Sequence, residues 1–203
     1  FLPFIKNDKP VLLPLVLNVL PTPTPTATPT ITPYPPGMPP PYSTSYYMST
    51  TDYDTLYGLG VTVGQSFASA ENKIVFLDFG QPWYENNAYG SIIFGSLEFR
   101  SIDQIITAVK GFCRGYYLAA PSNAQLTLAI ATSNYGRTYV TREHGVAWAQ
   151  MVAALNAWIE SPPSWADRIK IAGAIDAEPG WNGPGVTRAW VEGYNAAANG
   201  CVY

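Results

Sequence analysis

Residues 21–41 read PTPTPTATPTITPYPPGMPPP, and no other run constrains the architecture of this chain as much. Proline fixes φ and removes a backbone donor, so such a stretch can join neither a helix interior nor a sheet. It therefore divides the chain into an apolar segment at 1–20, a linker at 21–41 and a region at 42–203. Only the third piece is long enough to bury a core of its own. In polyproline II, at about 3.1 Å per residue, the linker reaches on the order of 60 Å and acts as a semi-rigid spacer. Threonine alternating with proline also suits O-glycosylation, and a tether of this composition predicts a secreted, extracellular or cell-surface attached protein.

The apolar run at 11–20 is interrupted by Pro14 and Asn18 and falls short of the ~20 residues a bilayer span needs, so no membrane span is expected. The sequence opens on Phe1, and an export signal is expected to have been removed or to lie outside it. Two readings of 11–20 stay open: a remnant that packs nowhere, and a β-segment that self-associates by pairing with an open sheet edge.

Charged residues make up 12% of the chain, about half the ~25% of an ordinary soluble protein, so hydroxyls and amides must carry the polar surface. The net charge of -3 with scattered basic residues leaves no electrostatic footprint for nucleic acid. The one histidine, His144, and the absence of any CxxC exclude a histidine-rich or zinc-ribbon metal site. No metal and no cofactor are expected.

Beyond the linker the sequence alternates strand and helix signals. KIVFLDF at 73–79 is a continuous apolar run of strand length. Ser101 and Gln104 form a capping box, after which Ile102, Ile105, Ile106, Val109, Phe112 and Tyr116 recur at helical spacing to about 118. Residues 125–132 (QLTLAIAT) form a second strand. Thr141 caps a second helix striped by Val146, Met151, Val152, Leu155 and Ile159. RIKIAGAIDAE at 168–178 is a third strand, and residues 186–198, entered through Gly183 and Pro184, a third helix. Cys201, Val202 and Tyr203 begin a fourth strand.

Alternating strands and helices predict an α/β fold with a parallel sheet and right-handed crossovers. In the third strand Ile169, Ile171 and Ile175 form a bulky face, while Ala172, Ala174, Asp176 and Glu178 form a small and acidic one. The first strand repeats this, with Val75, Leu77 and Phe79 opposite Asp78. Acidic residues at carboxyl strand ends fit the amino-terminal part of a (β/α)8 TIM-type barrel, with a doubly wound sheet as the alternative. With three or four βα units the sequence ends about halfway round such a barrel. It is therefore read as incomplete, or as completed by a partner.

The motifs LDFGQPW and AGAIDAEPGWN, over residues 42–203, resemble secreted bacterial glycoside-hydrolase-like βα-barrel proteins with a Pro/Thr-rich tether. The Asp-x-Glu at a strand end more distantly resembles the lysozyme-type glycoside hydrolases. The resemblance implies Glu178 as general acid, Asp176 as its electrostatic partner or substrate-assisting base, and Asp78 as the group that positions water or a sugar hydroxyl. Residues two apart on a strand share a face with Cα atoms about 7 Å apart, close enough for one carboxyl to raise the pKa of the other. That spacing fits both retaining and inverting geometries.

Trp83 and Tyr84 follow the first strand, Tyr135 the second and Trp181 the third, and flat amphipathic rings suit stacking on sugar faces. Gln81 and Asn134 add directional hydrogen bonds, so these six residues form the expected substrate-binding set. Loop packing over the core explains the same rings equally well. Competing motifs are weak: no GxSxG accompanies His144, and Gly58, Gly60 and Gly64 lack a GK[ST], which favours close helix packing over a nucleotide loop. Cys113 and Cys201 are expected too many strands apart to pair. Three functions follow: a hydrolase on cell-wall or environmental polysaccharide, a filament or surface-layer subunit that docks through its amino-terminal segment, and a non-catalytic glycan binder.

Overall fold

The computed structural model describes residues 43–136, 139–161, 163–198 and 202–203. The segments 1–20 and 21–41, the start of the third segment at residue 42, and Cys201 lie outside the described residues.

Four parallel strands, β1 (Ser43–Tyr47), β2 (Asn72–Asp78), β6 (Gln125–Ser133) and β7 (Ile169–Asp176), lie side by side in chain order. The helices α1 (Tyr53–Gln65), α2 (Ile102–Ala119), α3 (Arg142–Ile159) and α4 (Pro184–Ala197) connect or follow them. A three-stranded antiparallel sheet, β3 (Gln81–Glu85), β4 (Ala88–Ile92) and β5 (Phe99–Ser101), is inserted between β2 and α2. The chain is thus a mixed α/β structure on a parallel sheet. Val202 extends the sheet beyond β7 through a parallel bridge to Gly173. Among the described residues the sheet does not close on itself.

The two faces of the sheet differ as the strand patterns require. Val75, Leu77, Leu126, Leu128, Ile130, Ile169 and Ile171 join one core with Leu56, Phe112, Trp148, Leu155 and Trp190, so all four helices contribute to the same side. The opposite face carries Ile74, Ala129, Ala131 and Ala174 with Phe76 packed against them. Its small side chains let the sheet curl: Phe76 on β2 and Tyr203 beyond β7 meet edge to face at 6.2 Å. In a flat sheet, three strand steps would hold their backbones roughly 14 Å apart.

The capping signals hold. Ser101 and Gln104 form the reciprocal capping box of α2, Thr141 accepts from the His144 backbone at the start of α3, and Gly183 with Pro184 opens α4. The expected third strand is shorter than 168–178, because β7 ends at Asp176 and leaves Glu178 beyond the sheet. Three further elements are added. The first is β1, whose STSYY lacks an apolar run. The second is α1, where Gly60 and Gly64 lie against the backbone and side chains of α2 as close helix packing requires, and Gly58 meets nothing within 4 Å. The third is the inserted hairpin.

The hairpin starts at Gly80, whose φ of 91° is open to glycine and where a Cβ would come within 2.3 Å of the Ile92 carbonyl oxygen. It turns on Asn86 and Asn87, both at positive φ, the two-residue loop that matches strand twist. Its anchor to the body is His144, which is fully buried. Trp190 Nε1 donates to His144 Nδ1 at 2.9 Å, so Nε2 carries the ring hydrogen and donates to the Gly90 carbonyl at 2.8 Å. Burial drives the imidazole pKa down to about 4, and the neutral ring lies over Trp148. Cys113 is a buried free thiol within α2.

Candidate active site

β1, β2 and β7 each bring one polar side chain to the carboxyl end of the concave face. Parallel register sets Tyr47 beside Asp78 on adjacent strands, and Asp176 closes β7. Asp78 pairs in register with Ala131, and Ala131 with Ala174. Asp176 is therefore two residues beyond the level of Asp78 and two strands across from it. On a flat sheet their Cα atoms would stand roughly 12 Å apart. Curling brings the two carboxyls close enough to act on each other directly, with Tyr47 near enough to feel the charge of both.

Asp78 is 3% exposed. Its Oδ1 accepts from the Gly80 backbone at 2.8 Å, while Oδ2 is buried with no donor. Two bare carboxylates offer each other no hydrogen, so the arrangement is satisfied only when one of them is protonated. Burial and the neighbouring Asp176 push the Asp78 pKa up to about 8, offset in part by the Gly80 N–H. Burial also raises Asp176, against the hydrogen bonds from Asp78 and Tyr47 that favour its charge. Asp78 thus holds the shared proton and Asp176 the charge. At neutral pH the pair is a buried acid beside an anion.

Glu178 lies on the loop after β7, exposed and close enough to Tyr47 to act on it electrostatically. The loop is tied down by Asn134. That side chain accepts from the Glu178 backbone N–H at 3.0 Å and donates to the Glu178 carbonyl at 2.9 Å, while Asn182 donates to the Asn134 carbonyl. Asn134 is 2% exposed, and its buried amide positions the Glu178 backbone.

The aromatic residues separate into two groups. Tyr135 and Trp181 meet edge to face at 5.3 Å beside Asn134, on the loops after β6 and β7, and Tyr135 is 55% exposed. Trp83 and Tyr84 belong to β3 and not to a simple βα loop. Trp83 packs on Tyr139 at 4.9 Å and Tyr84 on Tyr89 at 4.7 Å. The Gln81 side chain lies against Gly136, its Oε1 buried without a hydrogen-bond partner. A cavity of about 270 Å³ opens elsewhere, between the hairpin, α2 and α3, and holds none of the expected site residues.

Tyr47 is the member of the cluster that the sequence reading missed. Its only signal is the weak alternation of STSYY, where Ser43, Ser45 and Tyr47 fall on one face. Among the described residues no three His, Cys, Asp or Glu side chains group to hold a metal ion, and no helix is long and apolar enough to cross a membrane. No protein-family model, curated protein sequence or solved structure matches the chain.

Proposed function

We propose that the chain is the glycan-acting part of an exported or surface-attached protein, a hydrolase of cell-wall or environmental polysaccharide. The observation that carries this reading is buried Asp78 beside Asp176 at the carboxyl ends of parallel strands, with a third carboxyl, Glu178, on the next loop. Glycoside hydrolysis asks for carboxyls held in different protonation states within a few ångströms of one bond, and environment rather than residue type sets those states.

In this reading Glu178 gives its proton to the glycosidic oxygen. The C–O bond breaks with its electron pair going to that oxygen, and the positive charge growing at the anomeric carbon is met by Asp176. Water then adds to that carbon and passes a proton to a carboxylate of the cluster. Asp78 holds the Asp176 carboxyl in place through the shared proton. Tyr135 and Trp181 offer ring faces and edges for a sugar beside the loop that carries Glu178.

The same geometry favours a (β/α)8 barrel over a doubly wound sheet. Strand order follows chain order with no reversal, and the helices pack on one face. Barrels of eight strands slip about one residue per strand, so side chains of alternate strands form a layer. Asp78 and Asp176, two strands and two residues apart, obey that slip.

The test is release of reducing ends from peptidoglycan, chitin and β-glucan by the purified chain and by Glu178→Gln. Turnover that falls at least about 100-fold in the variant, with an unchanged melting temperature, is the expected result. Glycan binding without turnover in either protein would make it a binder instead.

A further inference from the structure

The loop that leads from β7 into α4 reads EPGWNGPG at 178–185, and its backbone stands clear of the body: a Cβ on Gly180, Gly183 or Gly185 would meet nothing within 4 Å. Asn182–Gly183 is the one Asn–Gly pair among the described residues. Gly183 is exposed, with φ -64° and ψ 155°, and its two backbone groups differ in how they are held. The carbonyl opens α4 by accepting from Val186 at 3.0 Å and Thr187 at 3.4 Å, whereas the N–H donates to no group among the described residues. An amide nitrogen with no hydrogen bond and no Cβ beside it thus directly follows an asparagine, a thermally labile side chain.

We propose that Asn182 is a self-modification site, at which the Gly183 nitrogen attacks the Asn182 side chain and converts it to aspartate or isoaspartate. The nitrogen gives its proton to solvent base and bonds to Cγ of Asn182. The Cγ–Nδ2 bond breaks, and Nδ2 takes up a proton and leaves as ammonia. One water then opens the resulting succinimide ring. Attack at Cγ breaks the new bond and restores the main chain with an aspartate, whereas attack at the Asn182 main-chain carbonyl leaves the chain running through Cγ as isoaspartate. Amide and water become carboxylic acid and ammonia, with no change of oxidation state. The side chain that is lost has a structural task. Asn182 Nδ2 donates to the Asn134 carbonyl, and the Asn134 amide accepts from the Glu178 N–H at 3.0 Å and donates to the Glu178 carbonyl at 2.9 Å. A carboxylate at position 182 has no hydrogen to give, so acceptor faces acceptor, and negative charge is added to a loop that already carries Glu178. The modification therefore loosens the tie between the loops after β6 and β7 and gives the ordered Glu178 loop a finite lifetime.

Tryptic peptide 171–188 holds Asn182 as its one asparagine and contains no glutamine, so a mass gain of about 1 Da in it reports this side chain alone. The full chain is incubated at 37 °C at pH 6, 7.5 and 9, folded in buffer and unfolded in urea, with a zero-time sample to correct for conversion during digestion. Folded wild type is expected to gain the mass steadily, faster as the pH rises and base frees the Gly183 nitrogen. Gly183→Ala fits the open space and the negative φ, and it is expected to slow the gain at least about tenfold, because a Cβ crowds the attacking nitrogen. No gain in the folded chain over a period in which the urea-unfolded chain converts would overturn the proposal. So would conversion of Gly183→Ala at the wild-type rate.

Hydrogen exchange reads the consequence for the loop. In Asn182→Asp the Glu178 amide, which donates to Asn134 Oδ1, is expected to exchange at least about fivefold faster than in wild type, while the Leu128 amide in the core of the sheet keeps its rate. An unchanged Glu178 rate would overturn the link between Asn182 and the Glu178 loop. Neither measurement uses a glycan, so a chain that cleaves nothing removes the hydrolase reading and leaves both results to decide the role of Asn182.

Discussion

Asp78 and His144 are buried titratable residues whose surroundings push them in opposite directions. For Asp78 the folded-state pKa lies above the ordinary value near 4, so the folded protein holds a proton that the unfolded chain releases. This contribution to stability is fully present below about pH 4 and is lost as the pH rises to about 8. Asp78→Asn keeps an acceptor for the Gly80 N–H and gives Asp176 a permanent donor. It is expected to raise stability by about 2 kcal/mol at pH 8 and to flatten the alkaline decline, as urea melts at pH 5 and pH 8 will show. No gain at pH 8 would mean that the proton is not shared. His144 works the other way: its pKa is depressed to about 4, so its contribution is present above about pH 6.5 and is lost as the pH falls through 4. From sequence, Asp78 and Asp176 were legible as strand-end acids because period-two patterning assigns a face. Their meeting was not, since it depends on how far the sheet curls. Tyr47 was hidden in a strand with no apolar run, and the tie of the Asn134 amide to the Glu178 backbone links loops 44 residues apart, which local pattern does not show.

At the scale of elements, the long amphipathic helices and apolar strands were legible, because cap and stripe agree for α2 and α3, and Gly183 with Pro184 marks the start of α4. What escaped was α1, where glycines replace the apolar stripe because the helix is gripped by its backbone. Gly60 of α1 and Gly115 of α2 are equally tight points, a Cβ on Gly115 coming within 2.1 Å of the Tyr57 carbonyl oxygen, whereas Gly58 of α1 faces open space. Gly115→Ala is therefore expected to cost about 1–3 kcal/mol by forcing the helices apart. Gly58→Ala should be neutral or stabilising by up to about 1 kcal/mol through helix propensity. Thermal melts of the two variants check this, and equal effects would mean that the α1–α2 contact is looser than described. The hairpin did leave a signal, Asn86–Asn87 between two short strand-like runs, but Pro82 and the brevity of those runs weakened it. Likewise, Glu178 could not be separated from β7 by pattern alone, because Asn134 takes up its backbone groups 44 residues away along the chain.

For the molecule as a whole, one continuous core joins all four helices to one face of the sheet. Cys113, wholly inside that core, has its thiol pKa raised by burial, and thiolate forms only when the core opens. Alkylation at Cys113, followed by mass spectrometry of its peptide, is expected to track global unfolding in urea and to be negligible under native conditions. Fast native labelling would show that α2 detaches locally. The exposed side of β7 is itself occupied, since Asn156 pairs with both backbone groups of Ile171, and Tyr203 donates to the Gly173 carbonyl and accepts from the Ile175 N–H. Strand order has a further consequence, which concerns the making of the protein. β2 pairs with β1, β6 with β2 and β7 with β6, so each strand, as it leaves the ribosome, finds its neighbour already synthesised. His144 likewise reaches back to Gly90, a residue translated well before it. The parallel sheet can therefore be laid down strand by strand during translation, each strand after β1 adding to one already made.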